Sequence, residues 1–214
     1  MSNILPISQG SIDWKQMRLG KVTASRVADV IAKTKTGYSA SRDGYMAQLL
    51  TERLTGLPTE GFTSAAMQWG TETEPFARDA YSFAHDVDVA QVAFVEHPTI
   101  KMSGASPDGL VGPDGLIEIK CPETHTHIAA LLSEKIPTKY ETQMLWQMAC
   151  TGRQFCDFVS FDPRLPSELR LFVKRLDRDA ERIAAMEAEI LKFLAELDGK
   201  IAALRARYSR QEAA

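Results

Sequence analysis

The segment Ser103–Pro122 reads SGASPDGLVGPDGLIEIKCP, which predicts a β-hairpin. Two apolar runs, residues 110–111 and 116–120, flank a Gly-Pro-Asp-Gly turn. Asp108 lies in a Pro-Asp-Gly turn just before the first run, and Glu118 lies within the second. The hairpin can therefore bring these two carboxylates side by side.

The second run alternates, so that Glu118 and Lys120 share one face of a strand while Ile117 and Ile119 face the other side. Carboxylate oxygens are ligands that Mg²⁺ prefers, and such an ion stabilises the charge that develops during phosphodiester hydrolysis. A lysine on the same face can position or activate the attacking water.

Each piece has a plainer interpretation. An aspartate in a Pro-Asp-Gly turn is usually a turn residue, and Glu-x-Lys on a strand is usually a solvated face. The combination of Asp108, Glu118 and Lys120 around one hairpin favours a metal-dependent phosphodiesterase.

Composition is that of an ordinary water-soluble chain, with 214 residues, 44% hydrophobic residues and a net charge of −3. We expect a single domain (residues 1–214), with an N-terminal arm (1–12) and a long C-terminal helix (177–208). Residues 15–53 carry eight basic and three acidic residues, a local excess compatible with a polyanionic ligand.

The three cysteines form no paired framework, which predicts reduced thiols and a cytoplasmic protein. The N-terminus lacks the pattern of a signal peptide, and no apolar run has the length of a membrane span. We therefore expect no membrane association.

The order of predicted elements indicates an α/β fold, in which a central mixed sheet of about five strands is flanked by helices. Helices are predicted at residues 13–20, 25–33, 46–56, 67–83, 125–132, 138–150 and 177–207. Strands are predicted at 89–96, 100–104, 110–111, 116–120, 155–161 and 169–174. Residues 34–44 are predicted to form a mobile loop, and His125 and His127 are interpreted as surface or loop residues.

Several other polar residues allow two interpretations. Arg18 and Ser25 flank a predicted helix start, where they can bind phosphate or act only as a surface cation and a cap. Glu74 can be a third carboxylate of a metal site or a first-turn acid favoured by the helix dipole. The predicted helix over 67–83 places Trp69, Phe76, Ala80 and Phe83 on one apolar side.

Taken in order, a set of short strings resembles the phage lambda-type alkaline exonucleases of the YqaJ-like viral recombinase family, within the PD-(D/E)xK nuclease superfamily. The strings are Trp14-x-x-x-Arg18-Leu19-Gly20, Thr23-Ala24-Ser25, Trp69-Gly70-x-x-x-Glu74, Ser106-Pro107-Asp108-Gly109-Leu110 and Glu118-Ile119-Lys120-Cys121-Pro122. The resemblance runs from Trp14 to about Asp177, most of the chain.

This resemblance implies a restriction-endonuclease-like core and a bacterial or prophage-encoded enzyme. The implied activity is processive 5′-to-3′ digestion of linear double-stranded DNA that leaves 3′ overhangs for recombination. The implied cofactor is Mg²⁺, for which Mn²⁺ can substitute. The implied partners are DNA ends, a single-strand annealing protein and two further copies of the chain in a homotrimeric ring.

The resemblance also implies roles for individual residues. The implied metal ligands are Asp108, Glu118, the carbonyl of Ile119, and Glu74, with Lys120 acting on the attacking water. The implied pocket for the terminal 5′ phosphate consists of Arg18, Ser25, Ser106 and Gln143. The implied DNA contacts are Met67, as an apolar wedge, and Lys35, as a cation in the mobile loop.

Three alternatives remain at this stage. An iron–sulfur nuclease is disfavoured, because a cluster uses four cysteine ligands and the chain has three. A structure-specific or restriction-like endonuclease shares the catalytic core, but it has no need for the end-recognition residues Arg18 and Ser25. A catalytically inactive DNA-binding accessory protein is disfavoured by the intact Glu-x-Lys.

Overall fold

Helices cover both faces of a mixed five-stranded sheet in the computed structural model, which describes residues 8–59 and 64–209. The helices are α1 (Ile12–Arg18), α2 (Val27–Ile31), α3 (Ala40–Thr55), α4 (Ala65–His85), α5 (Thr124–Ser133), α6 (Thr138–Thr151) and α7 (Ala180–Tyr208). The strands are β1 (Val22–Thr23), β2 (Lys33–Thr34), β3 (Gly37–Tyr38), β4 (Val89–Ala90), β5 (Val95–Glu96), β6 (Ser103–Ala105), β7 (Gly109–Val111), β8 (Gly115–Lys120), β9 (Phe155–Phe161) and β10 (Leu171–Asp177).

The main sheet has the strand order β10-β9-β8-β7-β4. Strands β8 and β9 run parallel, and the other neighbouring pairs are antiparallel, so the predicted mixed sheet is confirmed. The predicted β7–β8 hairpin is confirmed as well, with Gly109 opposite Ile117 and Val111 opposite Gly115. Continuing this register by one residue places Asp108 beside Glu118.

Alternation along β8 divides the core into two parts. Leu116 packs with residues of α6 and α7 on one face, whereas Ile117 and Ile119 pack with Ala77 and Tyr81 of α4 on the other. The predicted separation of Glu118 from the flanking isoleucines is therefore confirmed, because the acid points to the face that α6 covers. One strand thus supplies both core side chains and a polar group directed at a helix.

A smaller sheet has the order β1-β6-β5, and α6 packs against its strands β5 and β6. Its middle strand contains Gly104, where a Cβ atom would lie 2.6 Å from the Val95 carbonyl oxygen and 2.3 Å from the ring of Phe94. Glycine is required here because the adjacent backbone and ring leave no room for a side chain. Residues 89–96, predicted as one strand, form β4 and β5, which belong to different sheets.

The prediction of a mobile loop at residues 34–44 was wrong. Those residues form the β2–β3 hairpin and the first turn of α3, and Ser39 precedes that helix as its cap residue. Lys35 occupies the hairpin turn and is exposed. The polar composition of the segment therefore reflects an exposed hairpin.

The predicted apolar side of α4 was also wrong. Phe76 and Phe83 are 64% and 91% exposed, whereas the buried positions of the helix are Thr73, Ala77 and Tyr81. The helix packs on the sheet through Ala77 and Tyr81 while its two phenylalanines face solvent, so a count of large apolar residues misplaces the buried face. Pro75 lies inside α4 and does not mark its start.

Smaller corrections concern the termini and one histidine. Helix α7 starts at Ala180 with Asp179 as its cap, and Asp177 ends β10. Of the predicted arm, residues 1–7 lie outside the described ranges, and Ser11 caps α1. His127, interpreted as a surface residue, is fully buried between Ser160 and the Leu169 carbonyl.

All three cysteines are free and buried, in agreement with the predicted reduced thiols. Burial raises the pKa of Cys121 to about 12, and it also raises the pKa of Cys150 and of Cys156. Within the described ranges, no helix combines the length and the apolar character that crossing a bilayer requires.

The turn after β9 is held by a fully buried carboxylate, that of Asp162. It accepts hydrogen bonds from the Arg164 guanidinium at 2.8 and 2.9 Å and from the Thr124 hydroxyl at 2.6 Å. Burial alone would raise the pKa of Asp162, but these hydrogen bonds outweigh it and lower the pKa to about 2. The ionised form therefore stabilises the folded state.

Asp162→Asn should lower the free energy of unfolding by roughly 1–2 kcal/mol at pH 7, since Arg164 is partly exposed and its interaction is screened. A carboxyl whose folded pKa is depressed contributes stability above its unfolded pKa and loses it as the pH falls through the folded value. The difference from wild type should therefore shrink between about pH 4 and 2. Urea unfolding at pH 7, 4 and 3 measures this difference in the free energy of unfolding, and Asp88→Asn at an exposed position is the control. If Asp162→Asn lowers the free energy of unfolding equally at all three pH values, the ionised Asp162 is not the source of the stability.

Candidate active site

Glu118 is the centre of the candidate site and has no exposed surface. Its two carboxylate oxygens accept hydrogen bonds of 2.6 Å from the side-chain amides of Gln143 and Gln147, which lie one turn apart on α6. Lys120, two residues along the same strand, forms an ion pair with it. A carboxylate removed from water requires such partners, and here they also fix its orientation.

Asp108 lies directly across the hairpin from Glu118 and accepts a 2.6 Å hydrogen bond from the Ile119 backbone N–H. Burial raises the pKa of Asp108 well above its usual range, and the negative charges of Glu118 and Glu74 raise it further, against the opposing charge of Lys120. The acids are therefore close enough to repel one another.

Lys120 carries a positive charge in this environment. Burial alone would lower its pKa, but the carboxylates of Glu118 and Asp108 outweigh this effect and raise it. The Lys120 ammonium also lies 5.3 Å from the centre of the Tyr140 ring. A lysine with a raised pKa is suited to stabilising negative charge or orienting a water molecule, and it is a poor proton acceptor.

Glu74 reaches this region from α4. Its carboxylate forms a 2.5 Å ion pair with Arg78, one helical turn further on. Burial raises the pKa of Glu74, while the charges of Arg78 and Lys120 oppose the shift. Because Arg78 also donates to the Asp108 carbonyl oxygen, Glu74 lies near the turn that carries Asp108.

The donor set suits a hard divalent cation. Asp108, Glu118 and Glu74 provide carboxylate oxygens, and the mutual repulsion of the acids is what a bound cation would relieve. Within residues 8–59 and 64–209, no group of three His, Cys, Asp or Glu side chains is close enough to hold an ion by side chains alone. Each acid is instead engaged by a donor of its own: Asp108 by the Ile119 N–H, Glu118 by the amides of α6, and Glu74 by Arg78. The Ile119 carbonyl as a further ligand stays a prediction.

A second feature is a cleft of about 780 Å³ lined by Arg18, Ser25 and Met67. Further basic residues line it as well, namely Lys15, Lys21 and Arg26. The Arg18 guanidinium lies 4.1 Å from the centre of the Trp14 ring and donates a 3.2 Å hydrogen bond to the Ser106 hydroxyl. Ser106 is two residues before Asp108, so this cleft and the acids are structurally connected.

The sequence-predicted phosphate ligands are only partly brought together. Arg18 and Ser25 line the cleft, and Ser106 contacts Arg18. Gln143 lies elsewhere, since its amide binds Glu118 and it does not line the cleft. Burial lowers the pKa of Arg18, which reports a partly desolvated guanidinium.

Two contributors were not assigned a role in the site from the sequence. Gln147 holds the second oxygen of Glu118, and its spacing of four from Gln143 was the available signal. Arg78 binds Glu74, and an acid followed four residues later by a base on one helix is the corresponding signal.

Comparison with known proteins shows which proteins the chain is similar to. The model of the YqaJ-like viral recombinase domain matches residues 13–154. The alkaline exonuclease LHK-Exo from Laribacter hongkongensis is similar at 50% identity and a TM-score of 0.89, with 94% of this chain and 100% of that chain covered.

LHK-Exo in complex with dAMP is similar at 51% identity and a TM-score of 0.88, with the same coverage. A phage related exonuclease from Haemophilus somnus 129PT shares the fold at 16% identity and a TM-score of 0.71, with 89% of this chain and 99% of that chain covered. No match was found among curated proteins.

The Glu118 arrangement gives a stability prediction. Gln147→Met removes a donor from a fully buried carboxylate, so the free energy of unfolding should fall by about 2–3 kcal/mol. Gln68→Met is the matched control, because Gln68 donates to the exposed Glu72 on the surface of α4, and it should change stability by less than about 0.5 kcal/mol. Urea titration of both variants measures the free energy of unfolding. If both variants lose the same amount, the Gln147–Glu118 contact contributes no more to stability than an exposed hydrogen bond.

Proposed function

The chain belongs to the YqaJ-like viral recombinase family, and on this basis we propose that it is a Mg²⁺-dependent alkaline exonuclease acting on the ends of linear double-stranded DNA. The observation that carries the proposal is the Asp108, Glu118 and Lys120 constellation at the end of one hairpin. Similarity to LHK-Exo, one structure of which holds dAMP, supports a nucleotide substrate.

We assign the metal to Asp108, Glu118, the Ile119 carbonyl and Glu74. When bound there, Mg²⁺, or Mn²⁺ in its place, would supply a Lewis acid for the reacting phosphate. Glu118 is held by two glutamine amides, so its oxygens keep their orientation before substrate arrives. This preorganisation avoids a reorganisation cost at the moment of reaction.

Lys120 acts on the charge that develops at the phosphate. Its raised pKa keeps it cationic, and its ion pair with Glu118 directs the ammonium group toward the acids. It can donate hydrogen bonds to a phosphate oxygen or orient the attacking water.

Arg18 gives the proposed enzyme its end preference. A guanidinium that is partly desolvated, stacked on Trp14 and flanked by hydroxyl groups is suited to a terminal phosphate. We therefore propose 5′-to-3′ digestion with preference for 5′-phosphate ends, in which Ser25 and Ser106 also bind the phosphate. Met67 on the cleft rim is the proposed wedge, and the exposed Lys35 is the proposed outer DNA contact.

The remaining parts of the proposal concern assembly and cellular role. Processive digestion leaving 3′ overhangs would supply a substrate for a single-strand annealing protein in recombination. A homotrimeric ring would tether the enzyme to DNA topologically. Such tethering is compatible with the net charge of −3, because it requires no extended basic surface.

The proposal is tested by digestion of linear duplex DNA in Mg²⁺ at alkaline pH. Asp108→Ala and Lys120→Ala should each lower kcat by about 100-fold or more, since each removes a group that acts on the reacting phosphate. Lys192→Ala, an exposed position on α7, serves as the control and should match wild type. Equal cutting of closed circles would replace the proposal with an endonuclease, and metal-dependent binding without cutting would favour an accessory protein.

Arg18→Ala tests end recognition separately from chemistry. It should raise KM for 5′-phosphate ends and reduce the preference over 5′-hydroxyl ends by about 10-fold or more, because a charge-assisted contact is lost. Initial rates on the two kinds of end, measured over a range of DNA concentrations, give the answer. An unchanged preference would remove Arg18 from the phosphate site.

A further inference from the structure

Arg78 contacts two of the candidate metal residues at once. Its side chain is 13% exposed, and its Nη2 donates to Glu74 Oε1 at 2.5 Å. Its Nε donates to the backbone carbonyl oxygen of Asp108 at 3.3 Å. One planar group therefore connects an acid on α4 with the turn that carries Asp108.

A third contact restrains the same guanidinium. With the Gln91 amide oriented so that its oxygen faces Arg78, it accepts hydrogen bonds from Nη1 at 3.0 Å and from Nη2 at 3.2 Å. Gln91 immediately follows β4, so three separate parts of the chain meet at Arg78. Because the guanidinium is planar and its donors form a fixed fork, these contacts define the orientation of the group.

The local backbone explains why such a restraint is useful. Pro75 directly follows Glu74 inside α4 and has no N–H, so the Thr71 carbonyl lacks its usual helical donor. The helix is therefore less firmly bonded at the turn that presents Glu74. The side chain of Arg78 adds a restraint between this part of the helix and the Asp108 turn.

We propose that Arg78 is a positioning residue that fixes the Glu74 carboxylate relative to Asp108 and thereby sets the geometry of the cation site. This inference rests on the proposed function, because the cation site belongs to it. Arg78 acts through Glu74 and does not touch the reacting atoms. Groups that orient metal ligands commonly account for 10–100-fold in metal affinity or activity.

The competing interpretation is that Arg78 only neutralises charge among the acids. Arg78→Lys separates the two, since lysine keeps the charge but cannot reproduce the fork that joins Glu74 to the Asp108 carbonyl. Positioning predicts that lysine fails to restore function. Neutralisation predicts that Arg78→Lys behaves like wild type. It also predicts that Arg78→Met binds the cation more tightly, because a positive charge that repels the cation is removed.

The experiment measures Mn²⁺ binding by titration calorimetry in the DNA-free protein, together with kcat and KM for linear duplex DNA. Arg78→Met and Arg78→Lys should each weaken Mn²⁺ binding by about 10-fold or more and lower kcat with little change in KM. In a Glu74→Gln background, adding Arg78→Met should cause no further loss, because the effect of Arg78 passes through Glu74. Additive losses would overturn the proposal, as would rescue by lysine or tighter Mn²⁺ binding.

Arg175→Met controls for a purely structural effect. Arg175 forms two hydrogen bonds with the buried Asp157, which also accepts one from Tyr81 of α4, so it stabilises the same helix and sheet away from the acids. It should reduce thermal stability and leave Mn²⁺ affinity unchanged. If Arg78→Met behaves like Arg175→Met, the positioning role is refuted.

Arg78-dependent Mn²⁺ binding without any DNA digestion would refute the proposed function and leave this inference standing.

Discussion

The structure depends on one constraint, the placement of the Glu118 carboxyl group on the central strand of the main sheet with no exposed surface. A charge in that position is costly unless it is paired and hydrogen-bonded on all sides. Gln143, Gln147 and Lys120 provide these partners. Because both glutamines lie on α6, that helix has to cross β8 at the level of Glu118. The packing of that helix, the cationic state of Lys120 and the orientation of the acid all follow from it.

The opposite face of the sheet is organised differently. There α4 packs through Thr73, Ala77 and Tyr81 and carries Glu74 to the same edge that β8 reaches with Lys120. The strand alternation keeps the two layers independent, because apolar packing with α4 does not compete with the polar contacts to α6. Helices α4 and α6 nevertheless both contribute side chains at the open end of the β7–β8 hairpin, where β7 begins and β8 ends. There Arg78 connects α4 to the turn before β7.

The hairpin and its two acids could be predicted because their signals are local, a turn of defined chemistry between short alternating runs. The buried face of α4 could not be predicted, since Phe76 and Phe83 point outward while Ala77 and Tyr81 make the contact with the sheet. The contact of Gln143 with Glu118 could not be predicted either, because a contact between a helix and a strand 25 residues away leaves no mark in local spacing. His127 is buried against Ser160 and the Leu169 carbonyl, which are 33 and 42 residues away in sequence.

The three cysteines, each buried and each with a raised pKa, have a practical consequence. The thiolate is the reactive form of the side chain, so none of the three combines access with reactivity near neutral pH. The folded native chain should therefore react only slowly with a maleimide dye. A single cysteine introduced in place of the exposed Met67 would be the selectively labelled site, and a fluorophore there would report directly on what occupies the basic cleft.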